Sequence, residues 1–264
     1  MSTHGTGYDP ELYAKRAASF GAVAAEYAAH RPDYPAEALA WALAPAAKAD
    51  GAGLDVLDLA AGTGKLTRGL VALGHRVTAV EPDPAMLDEL RRQVPAATAL
   101  GGSAESIPLP DASVDAVLVG QAIHWFDQDR ALPEIARVLR PGGPLATLSN
   151  AEDDRVEWVA GLSAVSPTQV SYLSWATNPG RRIAPHPDFS AAVDADFPHT
   201  MRRSVESLAA TVATHSHILV MEAAERAAVL EGIRDYLRSR PETSAGEFGL
   251  PLVTRVQRCV RAGG

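Results

Sequence analysis

The feature that most constrains this sequence is a regular alternation of short apolar runs with amphipathic stretches between residues 54 and 148. Short apolar runs are typical of buried strands, and apolar residues spaced three or four apart are typical of helices. Strand and helix units that alternate in this way build a parallel sheet with helices on both faces. The pattern therefore predicts an α/β protein with a doubly wound sheet.

Five strands are predicted within the alternating region. They cover residues 54–59, 76–80, 97–101, 114–119 and 145–148. Around this region the pattern is looser, and it predicts helices at 15–28, 155–176, 205–212 and 223–237 and strands at 193–201 and 252–260. Pro35 is placed at the first position of a further helix, and Asp83 is placed as the cap of a helix that Pro84 opens.

Charge and cysteine content narrow the class of protein. The 264 residues include 24 Lys and Arg against 32 Asp and Glu, so the formal net charge is −8. This acidity argues against a broad basic face for nucleic acid. No apolar run approaches the roughly 20 residues of a membrane span, and no secretion signal opens the chain. A single cysteine, Cys259, favours a cytoplasmic location.

The first predicted strand leads into a glycine turn, Gly62-Thr63-Gly64. Such a turn lets a ligand approach bare backbone, and the N–H groups of the following helix face that ligand. A dinucleotide-binding fold would continue the pattern with glycine at position 67, where this chain has threonine. Asp58 precedes the turn, and its carboxylate would repel a pyrophosphate but would suit a cationic ligand.

A second acidic residue ends the next predicted strand. Glu81 lies seventeen residues after Gly64, where a carboxylate can accept hydrogen bonds from both hydroxyls of a ribose. Asp58 and Glu81 together predict a nucleoside ligand that carries a positive group and no phosphate. S-adenosylmethionine, which has a sulfonium and an ammonium, meets that description.

Residues from about 20 to 150 resemble a class I S-adenosylmethionine-dependent methyltransferase of the type 11 group. The matching motifs occur in order: Asp58-x-Ala60-x-Gly62-x-Gly64, Glu81-Pro82 with Met86-Leu87, Ile107-Pro108 with Pro110-Asp111, Asp115-x-Val117, and Val138-Leu139-Arg140-Pro141-Gly142-Gly143. Three further segments narrow the resemblance to the branch that contains trans-aconitate methyltransferases: Tyr27 to Pro35, Gln121 to Asp127, and Leu250 to Thr254.

The resemblance implies a Rossmann-like, doubly wound sheet of seven strands in the order 3-2-1-4-5-7-6, with strand 7 antiparallel and N-terminal lid helices. It also implies one domain over residues 1–264. Residues 1–50 would form the lid and 51–150 the cofactor-binding core. Residues 151–264 would form a substrate-side insertion and complete the sheet.

The resemblance also implies which residues contact S-adenosylmethionine. Asp58, Ala60 and Gly62 would line its methionine end, with the glycines clearing space for the backbone. Glu81 would hold the ribose, and Gln121 would lie beside the sulfonium.

Five more residues are assigned to the adenine by the same resemblance. Pro82 and Met86 would flank the ring, and Ser103, Ala104 and Glu105 would lie at its edge. Ser103 stands where the group often has aspartate.

The acceptor is expected at the carboxyl edge of the sheet, near His124 and Trp125. A neutral imidazole can take a proton from a hydroxyl or an amine, so His124 is the candidate general base. The alternative is that His124 and Trp125 only shape the pocket wall. Arg31 and Tyr34 occupy a break between two helices. They form either a lid over the site, with Arg31 or Tyr27 touching the methionine carboxylate or an acidic substrate, or an ordinary helix cap and packed aromatic.

The predicted activity is methyl transfer to an oxygen, nitrogen or carbon of a small molecule, a carboxylate included. Two alternatives stay open: a protein that binds S-adenosylmethionine without methylating, and a nucleic-acid methyltransferase. No metal is predicted, because His186, His199, His215 and His217 fit no ligand spacing. The arginine pairs at 181–182 and 202–203 are predicted to face solvent, with contact to an anionic substrate as the alternative. A monomer or homodimer is expected.

Overall fold

The computed structural model describes residues 32–166, 172, 179–213, 218 and 221–263. Seven strands of this part form one sheet in the order β3-β2-β1-β4-β5-β7-β6. They are β1 Asp55–Leu59, β2 Arg76–Glu81, β3 Thr98–Gly101, β4 Ala116–Gly120, β5 Pro144–Glu152, β6 Val193–Arg203 and β7 Phe248–Val260. Strands β1 to β5 are parallel, and β7 is antiparallel to both of its neighbours. The predicted sheet order is confirmed.

The described α-helices connect or cover these strands. They are α1 Ala36–Leu43, α2 Lys65–Ala72, α3 Pro84–Gln93, α4 Gln128–Val138, α5 Glu157–Val165, α6 Val205–Ala213 and α7 Ala223–Ser239. One-turn 3-10 helices lie at Ala44–Ala46, Ile123–Trp125 and Pro179–Arg181. The predicted helix at 15–28 lies outside the described residues.

Alternate residues of the central strands pack on opposite faces of the sheet. Leu57 of β1 belongs to a core cluster with residues of α4, whereas Val56 belongs to a cluster with residues of α1 and α2. Both faces are buried, which explains why these strands are nearly continuous apolar runs. A third cluster joins α5, α6 and α7 to Phe248, Leu250 and Leu252 at the start of β7.

Two helix starts test the predicted caps. The Asp83 carboxylate accepts hydrogen bonds from the backbone N–H groups of Ala85 (2.8 Å) and Met86 (3.0 Å), so the predicted cap of α3 is confirmed. The placement of Pro35 is wrong by one residue. It precedes the first helical residue, Ala36, with φ −58° and ψ 139°. Its extended ψ places its carbonyl as an acceptor for the first turn of α1.

Several predicted elements have different bounds in the structure, among them β7, which begins at Phe248 rather than at 252. Strand β5 continues to Glu152 rather than ending at 148, because β7 pairs with it along its whole length, from Pro144 to Glu152. Helix α5 ends at Val165 rather than at 176, and Ser166 is extended. Position 167 is proline, which disfavours a helical conformation in the residue before it.

Candidate functional site

The candidate site lies where β1 and β4 end side by side. The strand order reverses between these two strands, which opens a crevice at their carboxyl ends. Ala60 follows β1 and Gln121 follows β4, and both are left-handed, with φ of 59° and 60°. A residue other than glycine in this region costs about 1–3 kcal/mol, and such strain concentrates at ligand sites.

The two glycines of the turn after β1 differ in their surroundings. A Cβ atom added to Gly64 would lie 3.1 Å from side-chain carbons of Leu90 and Val94, so this glycine permits close packing of α2 against α3. A Cβ atom on Gly62 would meet only the Met86 sulfur, at 3.9 Å. Gly62, rather than Gly64, therefore leaves open space beside the turn.

Asp58 lies beneath this turn and is fully buried. Its Oδ2 accepts a 2.5 Å hydrogen bond from the Thr67 hydroxyl, whereas no hydrogen-bond donor reaches Oδ1 among the described residues. Burial raises the pKa of Asp58 to about 7, and the nearby Glu81 carboxylate adds a smaller increase. A buried acceptor without a donor is unfavourable, so this position suits a ligand that donates a hydrogen bond.

Glu81 closes the other side of the turn and is 6% exposed. One carboxylate oxygen accepts a 2.8 Å hydrogen bond from the Gly62 N–H, and the other accepts a 2.9 Å bond from the Asp83 N–H. Burial raises the pKa of Glu81, and the two backbone bonds partly oppose that change. Each oxygen keeps a second lone pair, so Glu81 can still accept bonds from a diol.

Three of the residues assigned to the adenine edge have partners within the protein. Ala104 is buried in the core, and Ser103 forms an isolated bridge with Ser106. A Glu105 carboxylate oxygen accepts a 3.1 Å hydrogen bond from the Asp127 N–H. Contact of these residues with an adenine stays a prediction.

Tyr34 lies over the end of β4. A Cβ atom on Gly120 would be 2.7 Å from the Tyr34 hydroxyl oxygen and 3.3 Å from the ring carbon that bears it. The glycine therefore lets the aromatic ring lie against the strand end. Tyr27 and Arg31, the other two predicted lid residues, lie outside the described residues.

Asn150 fixes the segment that contains Tyr34. Its side-chain amide donates to the backbone carbonyls of Pro32 (3.3 Å) and Asp33 (3.2 Å). Its backbone carbonyl accepts a 3.0 Å hydrogen bond from the Gln121 side-chain amide. The residues around Tyr34 are thereby held across the carboxyl edge of the sheet. The predicted contact of Gln121 with a sulfonium stays a prediction.

His124 lies in the one-turn helix after β4. Its ring centroid is 4.6 Å from that of Trp125, and both side chains are half-buried. This turn contacts the one-turn helix Pro179–Arg181. Gln128 holds the loop that follows that helix through two hydrogen bonds. Its amide nitrogen donates to the Arg182 carbonyl (3.0 Å), and its amide oxygen accepts from the Ala184 N–H (2.8 Å). The turn and the 179–184 loop therefore lie together beyond the carboxyl end of β4.

Sequence reasoning missed the roles of Thr67 and Asn150. Thr67 occupies the first turn of α2, three residues after Gly64, and this spacing could have indicated a side chain directed back toward β1. Asn150 had no comparable signal, because its partners are distant in the sequence.

In the described part of the chain, no helix combines the length and apolar character needed to cross a bilayer. Nor do three His, Cys, Asp or Glu side chains come together there in a way that could hold a metal ion. His215 and His217 lie outside the described residues.

Comparison with known proteins places this architecture in a family. A family model described as a methyltransferase domain matches residues 57–147, the span from β1 into β5. A Mycobacterium tuberculosis protein named as an uncharacterized methyltransferase is 42% identical over 246 residues, which cover 92% of this chain and 95% of that protein. The chain belongs to the class I S-adenosylmethionine-dependent methyltransferases.

Two further relatives of this methyltransferase extend the comparison. A solved structure from Anaeromyxobacter dehalogenans, proposed to be a type II methyltransferase, is 28% identical, covers 88% of this chain and 97% of its own, and has a TM-score of 0.62. The malonyl-[acyl-carrier protein] O-methyltransferase of Pectobacterium atrosepticum is 36% identical over 141 residues, 53% of this chain and 52% of that protein.

Proposed function

We propose that this methyltransferase binds S-adenosylmethionine at the glycine turn and transfers the methyl group to a small-molecule acceptor. The observation that carries the proposal is the buried Asp58 carboxylate, which lies close to Glu81 and has one oxygen that receives no hydrogen bond from the residues the structure describes. Two carboxylates at neighbouring strand ends disfavour a phosphate-bearing ligand and favour a cationic nucleoside.

The chemistry of the residues present fits this cofactor. Asp58 would accept from the ammonium, directly or through one water, and Glu81 would accept from the ribose hydroxyls. Gly62 leaves room for the ligand beside the turn, and the Met86 sulfur borders that room. Pro82 is exposed next to Glu81, so it is accessible to an adenine.

When bound, S-adenosylmethionine supplies a methyl group on a sulfonium that is already an activated leaving group. The task of the protein is therefore to align the acceptor and to exclude water. Alignment alone can contribute roughly 7–11 kcal/mol in favourable cases. The Tyr34 segment and the His124 turn lie at the end of β4, and the one-turn helix at 179–181 contacts that turn, so these segments would perform this alignment.

Substitution of His124 tests the proposed base. For a hydroxyl or amine acceptor, we expect His124→Ala to lower kcat about 10²–10⁴-fold, because the proton of the acceptor loses its recipient. Affinity for S-adenosylhomocysteine, measured by calorimetry, should stay unchanged. His75→Gln is the control, since His75 accepts from the Leu54 N–H at the amino edge of the sheet, away from the crevice. Full turnover of His124→Ala on such an acceptor would rule out the base.

Transfer of a labelled methyl group tests the activity itself. The purified chain is incubated with S-adenosylmethionine that carries a tritiated methyl group and with fractions of a metabolite extract. We expect label in a small organic product and stoichiometric S-adenosylhomocysteine. Binding of the cofactor with no labelled product in any fraction would favour the non-methylating alternative.

Finer assignments belong to the same proposal. The trans-aconitate-like branch rests on the Tyr27, Gln121 and Leu250 segments of the sequence alone. The Pectobacterium relative is named for O-methylation of a malonyl group, and this supports an oxygen acceptor as one option. A single domain over 1–264, a cytoplasmic location and a monomer or homodimer also stay predictions.

A further inference from the structure

Arg181 is a half-buried cation in the loop next to the His124 turn. It ends the one-turn helix Pro179–Arg181, which contacts the turn at Ile123–Trp125. Burial lowers the pKa of Arg181, and no acid in the described part of the chain offsets that change. In the part of the chain that the structure describes, no carboxylate forms an ion pair with its guanidinium.

Neighbouring arginines are different. Arg182 pairs with Asp194 at 2.9 Å, Arg155 with Asp153 at 2.6 Å, and Arg255 with Asp196 at 3.0 Å. Acidic partners are thus available in this region, and each of those arginines has one. Acidic residues are not scarce in this region. The position of Arg181 therefore explains why no described carboxylate pairs with it.

The backbone next to Arg181 is also held in place by hydrogen bonds. Each of the three residues that follow it forms a hydrogen bond to the rest of the fold. The Arg182 carbonyl accepts from the Gln128 side-chain amide, and the Ala184 N–H donates to it. The Ile183 N–H donates a 2.5 Å hydrogen bond to the Gln257 side chain. A half-buried charge without an acidic partner among the described residues is unfavourable there, and arginine cannot escape the cost by losing its proton. An anionic ligand would offset that cost.

We propose that Arg181 binds an oxyanion of the methyl acceptor, so that the substrates of this enzyme are carboxylates or phosphate monoesters. The planar guanidinium matches the two oxygens of either group, and the bond is charge-assisted. The one-turn helix that Arg181 ends contacts the His124 turn, which follows β4 at the carboxyl edge, so an acceptor anchored there would reach toward the crevice. This inference rests on the proposed function, because it assumes that the crevice receives an acceptor.

The test begins with cofactor binding alone. Wild type, Arg181→Ala, Arg181→Lys and Arg182→Ala are titrated with S-adenosylhomocysteine, and we expect equal affinities. The Arg182→Ala variant is the matched control, since it removes an adjacent guanidinium that already has a partner. A wild type that does not bind S-adenosylhomocysteine would overturn the proposed function and, with it, this inference.

The second stage uses protein saturated with S-adenosylhomocysteine and ligand-observed NMR. The probes are benzoate, glutarate and phenyl phosphate, with benzamide, glutaramide and phenol as their neutral counterparts. We expect at least one anion to bind and its neutral counterpart not to bind. Arg181→Ala should lower the affinity for that anion at least about tenfold, and Arg181→Lys should lower it less. Arg182→Ala should change that affinity by under about twofold.

The ranking of benzoate and glutarate against phenyl phosphate distinguishes a carboxylate substrate from a phosphate substrate. Two outcomes would show that the role of Arg181 is wrong while the proposed function stands. In the first, wild-type protein binds S-adenosylhomocysteine but none of the anions. In the second, wild type and Arg181→Ala bind the anions equally well.

Discussion

Asp58→Asn should weaken S-adenosylhomocysteine binding at pH 8 by at least about 30-fold and should also stabilise the fold. The loss of affinity follows from removal of the charge that would bind the ammonium, and truncation of one partner in a buried charge pair costs roughly 2–5 kcal/mol. The gain in stability follows from the burial of Asp58, which makes its charged form unfavourable in the folded protein.

The pH dependence of this effect has a definite sign. The pKa of Asp58 rises from 3.8 in the unfolded chain to about 7 in the folded protein. The neutral carboxyl therefore contributes stability that is fully present below pH 4 and is lost as the pH rises through 7. Asparagine has no such loss, so the difference in melting temperature between variant and wild type should grow from pH 5 to pH 8.

Thermal unfolding at several pH values and calorimetry at pH 6 and pH 8 provide the measurement. Wild-type affinity should increase over that interval as Asp58 ionises. Asp88→Asn on α3 is the control, because it removes the same charge from an exposed position. An Asp58→Asn protein that binds normally, or that is less stable than wild type at pH 8, would contradict this role for Asp58.

Glu81→Ala should weaken S-adenosylhomocysteine binding by about 1–3 kcal/mol, or roughly 5- to 150-fold. The substitution removes the acceptor for the ribose hydroxyls, and it also leaves the Gly62 and Asp83 N–H groups without their present partner. Glu81→Gln keeps one acceptor oxygen, so its affinity for S-adenosylhomocysteine should fall between those of wild type and Glu81→Ala. Calorimetric titration measures the change.

The control for this series is Glu157→Ala, because the Glu157 side chain is 95% exposed at the start of α5. Its affinity should equal that of wild type. If Glu81→Ala also binds normally, the end of β2 is not the ribose site.

The central sheet could be predicted from the sequence for a simple physical reason. Strands covered on both faces are continuous apolar runs, and helices between them carry a different period, so β1 to β5 stand out. The end of β5 was missed because Ser149 and Asn150 are polar, and only pairing with β7 makes them part of a strand. Periodicity also extended α5 beyond Pro167, where the backbone rule should have taken precedence.

The site was predictable to the extent that it is local in the sequence. Asp58, the glycine turn and Glu81 end neighbouring parallel strands, and the carboxyl ends of such strands meet at one edge. The role of Asn150 depends on partners that are distant in the sequence. The role of Arg181 depends on the lack of an acidic partner among the residues that the structure describes. No pattern in a single sequence reports such contacts, so the expectation that Arg181 faces solvent missed its burial.

The central claim is that the carboxyl edge around Asp58 and Glu81 binds a nucleoside that carries a positive group and no phosphate, rather than a dinucleotide. The most direct test is a pair of calorimetric titrations of the purified chain, one with S-adenosylhomocysteine and one with NAD. We expect saturable binding of S-adenosylhomocysteine in the micromolar range and no saturable heat from NAD. Saturable binding of NAD without any response to S-adenosylhomocysteine would contradict the claim.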